Sequence, residues 1–243
     1  PQRSLSTIDP QIQVDFQTLV RAGRQPIHGS ARPGGFGLAV DIGTTTVVAT
    51  LIDLSSGVQA ATESSINQQV SRGDNVITRI DYCTGRPDRF GELCTLLHAE
   101  TLTPLLRKLE QGHPGCLAEV DVAVVAGNTT MLHFMAKVPP DPMGRHPFSP
   151  AFLDLRISTT AEGGLDGESG LRPDCPVYLL PGFAAFIGAD IFAGALSTGM
   201  FYSRSTSLLV DVGTNGELLL AHDGKLFGCA TAAGPAFEGG GLK

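Results

Sequence analysis

Two acidic residues, Asp41 and Asp211, each close an apolar run and lead into x-Gly-Thr: Leu38-Ala-Val-Asp-Ile-Gly-Thr44 and Leu208-Leu-Val-Asp-Val-Gly-Thr214. The copies lie 170 positions apart (211 − 41), and similar apolar runs flank both. A tight hairpin with glycine at its turn presents backbone N–H groups in a concave nest, which cradles anions. Hydroxyls at Thr44, Thr45, Thr46 and Thr214 add donors for phosphate oxygens. Thr45 and Thr46 read equally well as β-formers with one hydroxyl turned inward. The carboxylates of Asp41 and Asp211 are hard ligands suited to Mg²⁺, directly or through its waters. Two such loops face to face would grip a polyphosphate from both sides, with the metal between them. Neither GxxxxGK[ST] nor GxGxxG stands at a strand–helix turn, so the two commonest phosphate loops are disfavoured.

These loops need elements to hold them. Gly37–Asp41, Val47–Asp53 and Val58–Ser65 read as three short strands with tight turns, an antiparallel meander. Two helices are predicted over about 74–83 and 89–111, the second from leucines at near-helical spacing. A largely apolar strand is predicted over Glu119–Ala126, then a short helix over Thr129–Lys137 capped by Asn128. Residues 139–176 form a long proline-rich connection, which is usually functional or ordered by short elements of its own. Val177–Leu180 reads as a strand and Ala184–Thr198 as a helix of small residues. Ser207–Asp211, Glu217–His222 and Lys225–Ala230 then repeat the meander. Residues 1–35 read as the tail of a preceding module plus a Gly/Pro/Arg-rich linker.

Composition excludes several classes. The 243 residues carry 17 Lys and Arg against 24 Asp and Glu, a net charge of −7, without the basic stripe that a nucleic-acid surface needs. The longest apolar stretch, Pro181–Leu196, is broken by Asp190 and falls short of the roughly 18 residues of a membrane span. Five cysteines at 83, 94, 116, 175 and 229 make no CxxC and no tight Cys/His cluster. They read as packed thiols of a reducing cytoplasm. His98 and His133, on leucine-rich helices, read as core or rim histidines.

Six segments in one order carry a family resemblance: Val40-Asp-Ile-Gly-Thr-Thr-Thr46, Asn67-Gln-Gln69 with Gly73-Asp-Asn-Val-Ile-Thr-Arg-Ile80, Ala126-Gly-Asn-Thr-Thr-Met131, Pro181-Gly-Phe through Ile187-Gly-Ala-Asp190, Asp211-Val-Gly-Thr-Asn-Gly-Glu217, and Ala233-Gly-Pro-Ala-Phe-Glu-Gly-Gly240. The paired Asp-x-Gly-Thr hairpins resemble the phosphate loops of the acetate and sugar kinase, heat-shock chaperone and actin superfamily. The ordered set is similar to the ATPase domain of the reductive activators of corrinoid proteins, from about residue 36 to the end. Gln68 departs from it, where relatives usually have Pro.

The resemblance implies an α/β fold of duplicated RNase H-like (actin-like ATPase) subdomains. The first covers 36–200, with the proline-rich insertion and a linking helix; the second covers 201–243 and is incomplete in this chain. It implies catalytic roles for Asp41, Asp211 and Glu217, the last as a water-positioning or metal-linked carboxylate, with an exposed strand residue as the plain alternative. Phosphate binding falls to Gly43, Thr44, Thr45, Thr46, Gly213, Thr214, Asn215 and Gly216. Asn215-Gly216 is also a hairpin-turn signal, placed where the second phosphate turn is expected. Nucleotide or metal-water contacts fall to Asn128, Asp190, Glu238, Gly239 and Gly240.

The implied cofactors are ATP and Mg²⁺, held by Asp41 and Asp211 through water, with a [2Fe–2S] cluster outside this chain. The implied function is ATP-driven reduction of a Co(II) corrinoid protein to Co(I), in the cytoplasm, without nucleic acid or membrane; a homodimer is compatible with it. Two alternatives stand beside it. One is a small-molecule kinase of the same superfamily, with Asp74 as its only candidate acid between 66 and 80. The other is a non-catalytic nucleotide-sensing domain.

Overall fold

The computed structural model describes residues 6–7, 35–163, 165, 169–203, 205–213 and 215–232. Two sheets organise it. Strands β2 (Phe36–Ile42), β3 (Thr46–Asp53) and β4 (Gln59–Ile66) form the expected antiparallel meander. Parallel to β2 on its other side lies β5 (Val120–Gly127), followed by β7 (Pro176–Leu179). An antiparallel edge strand, β6 (Arg156–Thr159), which leads into the one-turn helix α5 (Thr160–Gly163), completes the order β4-β3-β2-β5-β7-β6.

Burial explains the order. The central strands β2 and β5 are covered on both faces and read as almost unbroken apolar runs, whereas β3 alternates. The covering layer includes α1 (Val76–Cys83), α2 (Pro87–Leu97) and α3 (Thr103–Gly112); Val76 and Cys83 of α1 and the leucines of α2 and α3 enter one core with Leu38, Ile42, Leu51 and Val125. Asn75 caps α1 by accepting from Thr78 N at 3.0 Å, and Thr78 Oγ1 reciprocates on Asn75 N at 3.2 Å. Pro87 opens α2, where a missing N–H costs nothing.

The helix expected over 89–111 is interrupted by a π turn at His98–Leu102. Thr101 Oγ1 donates to Leu96 O at 2.7 Å and accepts from Gln68 N at 3.0 Å, which ties the turn to the 67–71 segment. Pro104, without an N–H, cannot restore the ordinary ladder there.

The second sheet has the order β1-β10-β9-β8, all antiparallel. Its strands are β1 (Ser6–Thr7), β8 (Ser207–Val212), β9 (Asn215–His222) and β10 (Lys225–Ala232). Asn215 and Gly216 therefore start a strand instead of forming the turn. Gly213 N donates to Asn215 O at 2.9 Å, so the chain reverses one step earlier. The helix expected over Ala184–Thr198 begins at Ala189 (α6, Ala189–Ser197), because Ala184 and Ile187 pair in a tight loop first.

That helix belongs to both halves. Ala189 enters the first core, while Ile191, Phe192 and Ala195 pack with Phe183, Leu219 and Ala221 in the second. On β8, Leu208, Val210 and Val212 remain more than half exposed.

Candidate nucleotide site between the two hairpins

The site lies at the carboxyl ends of β2 and β5, where open α/β sheets usually place their ligands. Three backbones meet there. A Cβ on Gly127, whose φ is +149°, would lie 2.6 Å from Ile42 O. A Cβ on Gly188 would lie 2.6 Å from Gly127 O and 2.7 Å from Asn128 Cα and Thr129 N. These approaches are closed to any side chain, and they bring the first turn of α6 against the ends of β2 and β5. Asp41, one residue before the end of β2, and Asp190, in the first turn of α6, thereby fall within electrostatic reach of each other.

Asp211 and Glu217 come from the second hairpin, opposite one another across the β8–β9 ladder. The four carboxyl groups form one field. Asp41 opens to solvent, yet the surrounding protein desolvates it and, with the charge of Asp211, raises its pKa. Burial pushes Asp190 up to about 6, with a lesser contribution from Asp41 and Asp211. Burial pushes Glu217 up to about 8, helped by the charges of Asp190 and Asp211. Glu217 is 6% exposed, so the exposed-strand alternative is corrected: its β9 face packs inward. Among the described residues no three His, Cys, Asp or Glu side chains converge closely enough to ligate one ion directly.

The first hairpin is held from behind. The carbonyls of Gly43, Thr44 and Thr45 accept, in turn, from Asn67 Nδ2 (3.0 Å), Arg79 Nη2 and Asn67 N (2.8 Å). In a planar trans peptide the N–H points opposite to the carbonyl before it, so the N–H groups of residues 44–46 turn away from this anchor. A Cβ on Gly43 would lie 2.3 Å from Thr46 O, which fixes glycine at the turn. Thr44 is buried, and Thr45 and Thr46 are half-buried.

Asn128 is also buried, and its Oδ1 is engaged in capping α4 (Thr129–Met135), accepting from Thr130 N at 2.9 Å. Gly213 lies at the second turn beside Asn215 and Gly216. Thr214, Glu238, Gly239 and Gly240 lie outside the described residues.

Sequence reasoning missed the anchor. Asn67 and Arg79 lie in the segments Asn67–Gln69 and Gly73–Ile80, and a polar residue and a cation beside apolar neighbours are the only sequence signal of their role. Asp74, the acid a kinase would need, is exposed and accepts from Asn75 Nδ2 (3.0 Å) and Thr78 Oγ1 (3.3 Å), so it serves the start of α1.

Known proteins resemble this chain over most of its length. The model of the RACo middle region matches residues 36–203, and that of the C-terminal domain of RACo, the ASKHA domain, matches 205–243. The chain belongs to the RACo family. The corrinoid activation enzyme RamQ of Eubacterium limosum is 33% identical over 207 residues, covering 85% of this chain and 34% of RamQ. A Methanosarcina barkeri [Co(II) methylated amine-specific corrinoid protein] reductase is 25% identical over 215 residues, covering 85% of this chain and 38% of its own. A solved reductive activator for a corrinoid, iron–sulfur protein superposes with a TM-score of 0.82 at 40% identity, covering 88% of this chain and 33% of that one. This RACo-family chain thus spans about a third of the length of the relatives it matches, and its fold is the actin-like ATPase fold.

Proposed function

We propose that this chain is the nucleotide-binding part of an activator that uses ATP to drive reduction of a Co(II) corrinoid protein to Co(I). The observation that carries the reading is the meeting of Asp41, Asp190, Asp211 and Glu217 between two Asp-x-Gly-Thr hairpins, in a chain whose relatives are named for corrinoid activation.

In this reading the two hairpins hold the phosphates. Backbone N–H groups of residues 44–46 face the anion on one side, and Gly213, Thr214, Asn215 and Gly216 on the other. Hard carboxylate oxygens that repel one another suit a divalent cation, so Asp41 and Asp211 would hold Mg²⁺ through its waters. Bound there, the ion would shield phosphate charge during transfer. Glu217 orients the attacking water, and Asp190 holds the water shell from the linking helix. Catalysis of this kind is positioning plus electrostatics, as phosphoryl transfer requires. Because α6 packs on both halves, closure on nucleotide is transmitted as a change in affinity for the partner, without which no coupling occurs.

The electrons come from outside these residues. Cys83, Cys94, Cys116 and Cys175 are buried, and burial raises their thiols to about 12, 11, 11 and 11, so they stay protonated and unsuited to a cluster. A [2Fe–2S] domain elsewhere in the protein is the proposed donor. The partner is a corrinoid protein in the cytoplasm, and a homodimer is compatible with this. No helix among the described residues is long and apolar enough to cross a membrane. Residues 36–200 and 201–243 are assigned to two subdomains, and the exposed row Leu208, Val210 and Val212 belongs to the second.

The test uses the full-length protein with its corrinoid partner and a reductant, followed by the visible spectrum of the cobalt. Mg-ATP should convert Co(II) to Co(I), and Asp41→Ala should abolish the dependence on ATP. Reduction at the same rate without nucleotide would refute the proposal.

A further inference from the structure

Behind the first hairpin lies a charge that the proposed reaction does not yet use. Arg79 is completely buried. Its Nε donates to Gly73 O at 2.9 Å, its Nη1 to Gln69 Oε1 at 3.1 Å with Met131 Sδ at 3.3 Å, and its Nη2 to the carbonyl of Thr44. All of these acceptors are neutral. Asp74 attracts the guanidinium from the exposed turn before α1, but burial dominates and lowers its pKa to about 10, so it remains a cation at neutral pH.

The chain is built around this placement. A Cβ on Gly73 would lie 2.9 Å from Arg79 N and 3.0 Å from Arg79 Cγ, so glycine there lets the side chain curl under its own helix start. Gln69, itself buried, is fixed by donating from Nε2 to Leu93 O at 2.9 Å. A buried cation with neutral acceptors is costly, and an apolar side chain would fill the same space at less cost. Lysine could not span the acceptors of Gly73, Gln69 and Thr44 as the guanidinium fork does.

We infer that Arg79 is the positioning residue of the first hairpin and the resident counter-charge for a polyphosphate bound on its far side. It acts through the loop: it holds the Thr44 carbonyl inward, and its charge lowers the energy of an anion at the N–H groups of residues 44–46. The inference rests on the nucleotide reading above and adds to it the source of positive potential in a site otherwise lined by carboxylates.

The experiment is calorimetric titration of the full-length protein with Mg-tripolyphosphate, with melting curves run with and without it. Arg79→Gln should weaken binding about 10- to 100-fold, the range for losing a charged hydrogen-bonding group. Arg79→Lys, which keeps the charge and loses the fork, should lose less. Gln69→Glu is the second variant, because it leaves the guanidinium in place and sets a carboxylate at Nη1. It should weaken binding about tenfold and shrink the ligand-induced rise in melting temperature, by the same argument. If Arg79→Gln does not fold, Gln69→Glu decides. Wild-type affinity in Gln69→Glu, or equal losses in Arg79→Lys and Arg79→Gln, would overturn the counter-charge while leaving the nucleotide reading intact. Failure of the wild-type protein to bind either Mg-tripolyphosphate or Mg-ATP would instead refute the nucleotide reading, and this inference with it.

Discussion

Asp211 and Glu217 are direct partners across the β8–β9 ladder, two acids where like charges destabilise a sheet. Glu217 is the buried member, and its pKa of about 8 keeps it protonated at neutral pH. The pair is tolerated because one of its charges is withheld until something positive arrives.

Stability should therefore depend on pH in a particular direction. The native state binds the Glu217 proton more tightly than the unfolded chain, so stability is lost as pH rises from the ordinary 4.5 through about 8 and levels off above that. Asp190, raised from 3.8 to about 6, adds a loss in the same direction at lower pH. Melting temperatures of the metal-free protein should fall between pH 6 and 8.5, and Glu217→Gln should flatten the upper part of that fall. A melting temperature that rises over this range contradicts the burial of Glu217.

Asp211→Ala should separate function from folding. Asp211 is exposed and packs little, and its removal relieves repulsion on Glu217. We expect an unchanged or slightly raised melting temperature, with single-turnover ATP hydrolysis reduced about 10²- to 10³-fold, as when one electrostatic stabiliser is lost from an active site. Unchanged turnover with a lowered melting temperature would assign Asp211 to structure alone.

Gly188→Ala should do the reverse. Its methyl group would meet Gly127 O, Asn128 Cα and Thr129 N within 2.7 Å, and backbone cannot step aside as a side chain can. A loss of about 1–3 kcal/mol is expected for such overpacking. Because the strain lifts α6 from the ends of β2 and β5, nucleotide affinity should fall as well. Chemical denaturation and titration on the same sample check both.

Much of this architecture was legible beforehand, because it rests on local signals. Alternation in β3, apolar runs in β2 and β5, and the 170-residue repeat place the meanders and both Asp-x-Gly-Thr turns. What escaped depends on particular pairings, near and far along the chain, that no residue pattern marks. The π turn at His98–Leu102 requires Thr101 to reach Leu96 and Gln68, and the late start of α6 requires the Ala184–Ile187 pairing. Asn215-Gly216 carries a turn signal, but pairing with Ala232 and Thr231 draws both residues into β9. The anchor of Asn67 and Arg79 on the Gly43–Thr45 carbonyls spans 22 to 35 positions, beyond what spacing along one chain encodes.

The most direct test is the position of the metal. Crystals of the full-length protein grown with Mn²⁺ and a non-hydrolysable ATP analogue would show the ion by its anomalous signal. We expect the peak between Asp41 and Asp211, joined to them through water, with the phosphates lying against residues 43–46 and 213–216. A nucleotide bound elsewhere, or an ion remote from both carboxylates, would contradict the two-hairpin site.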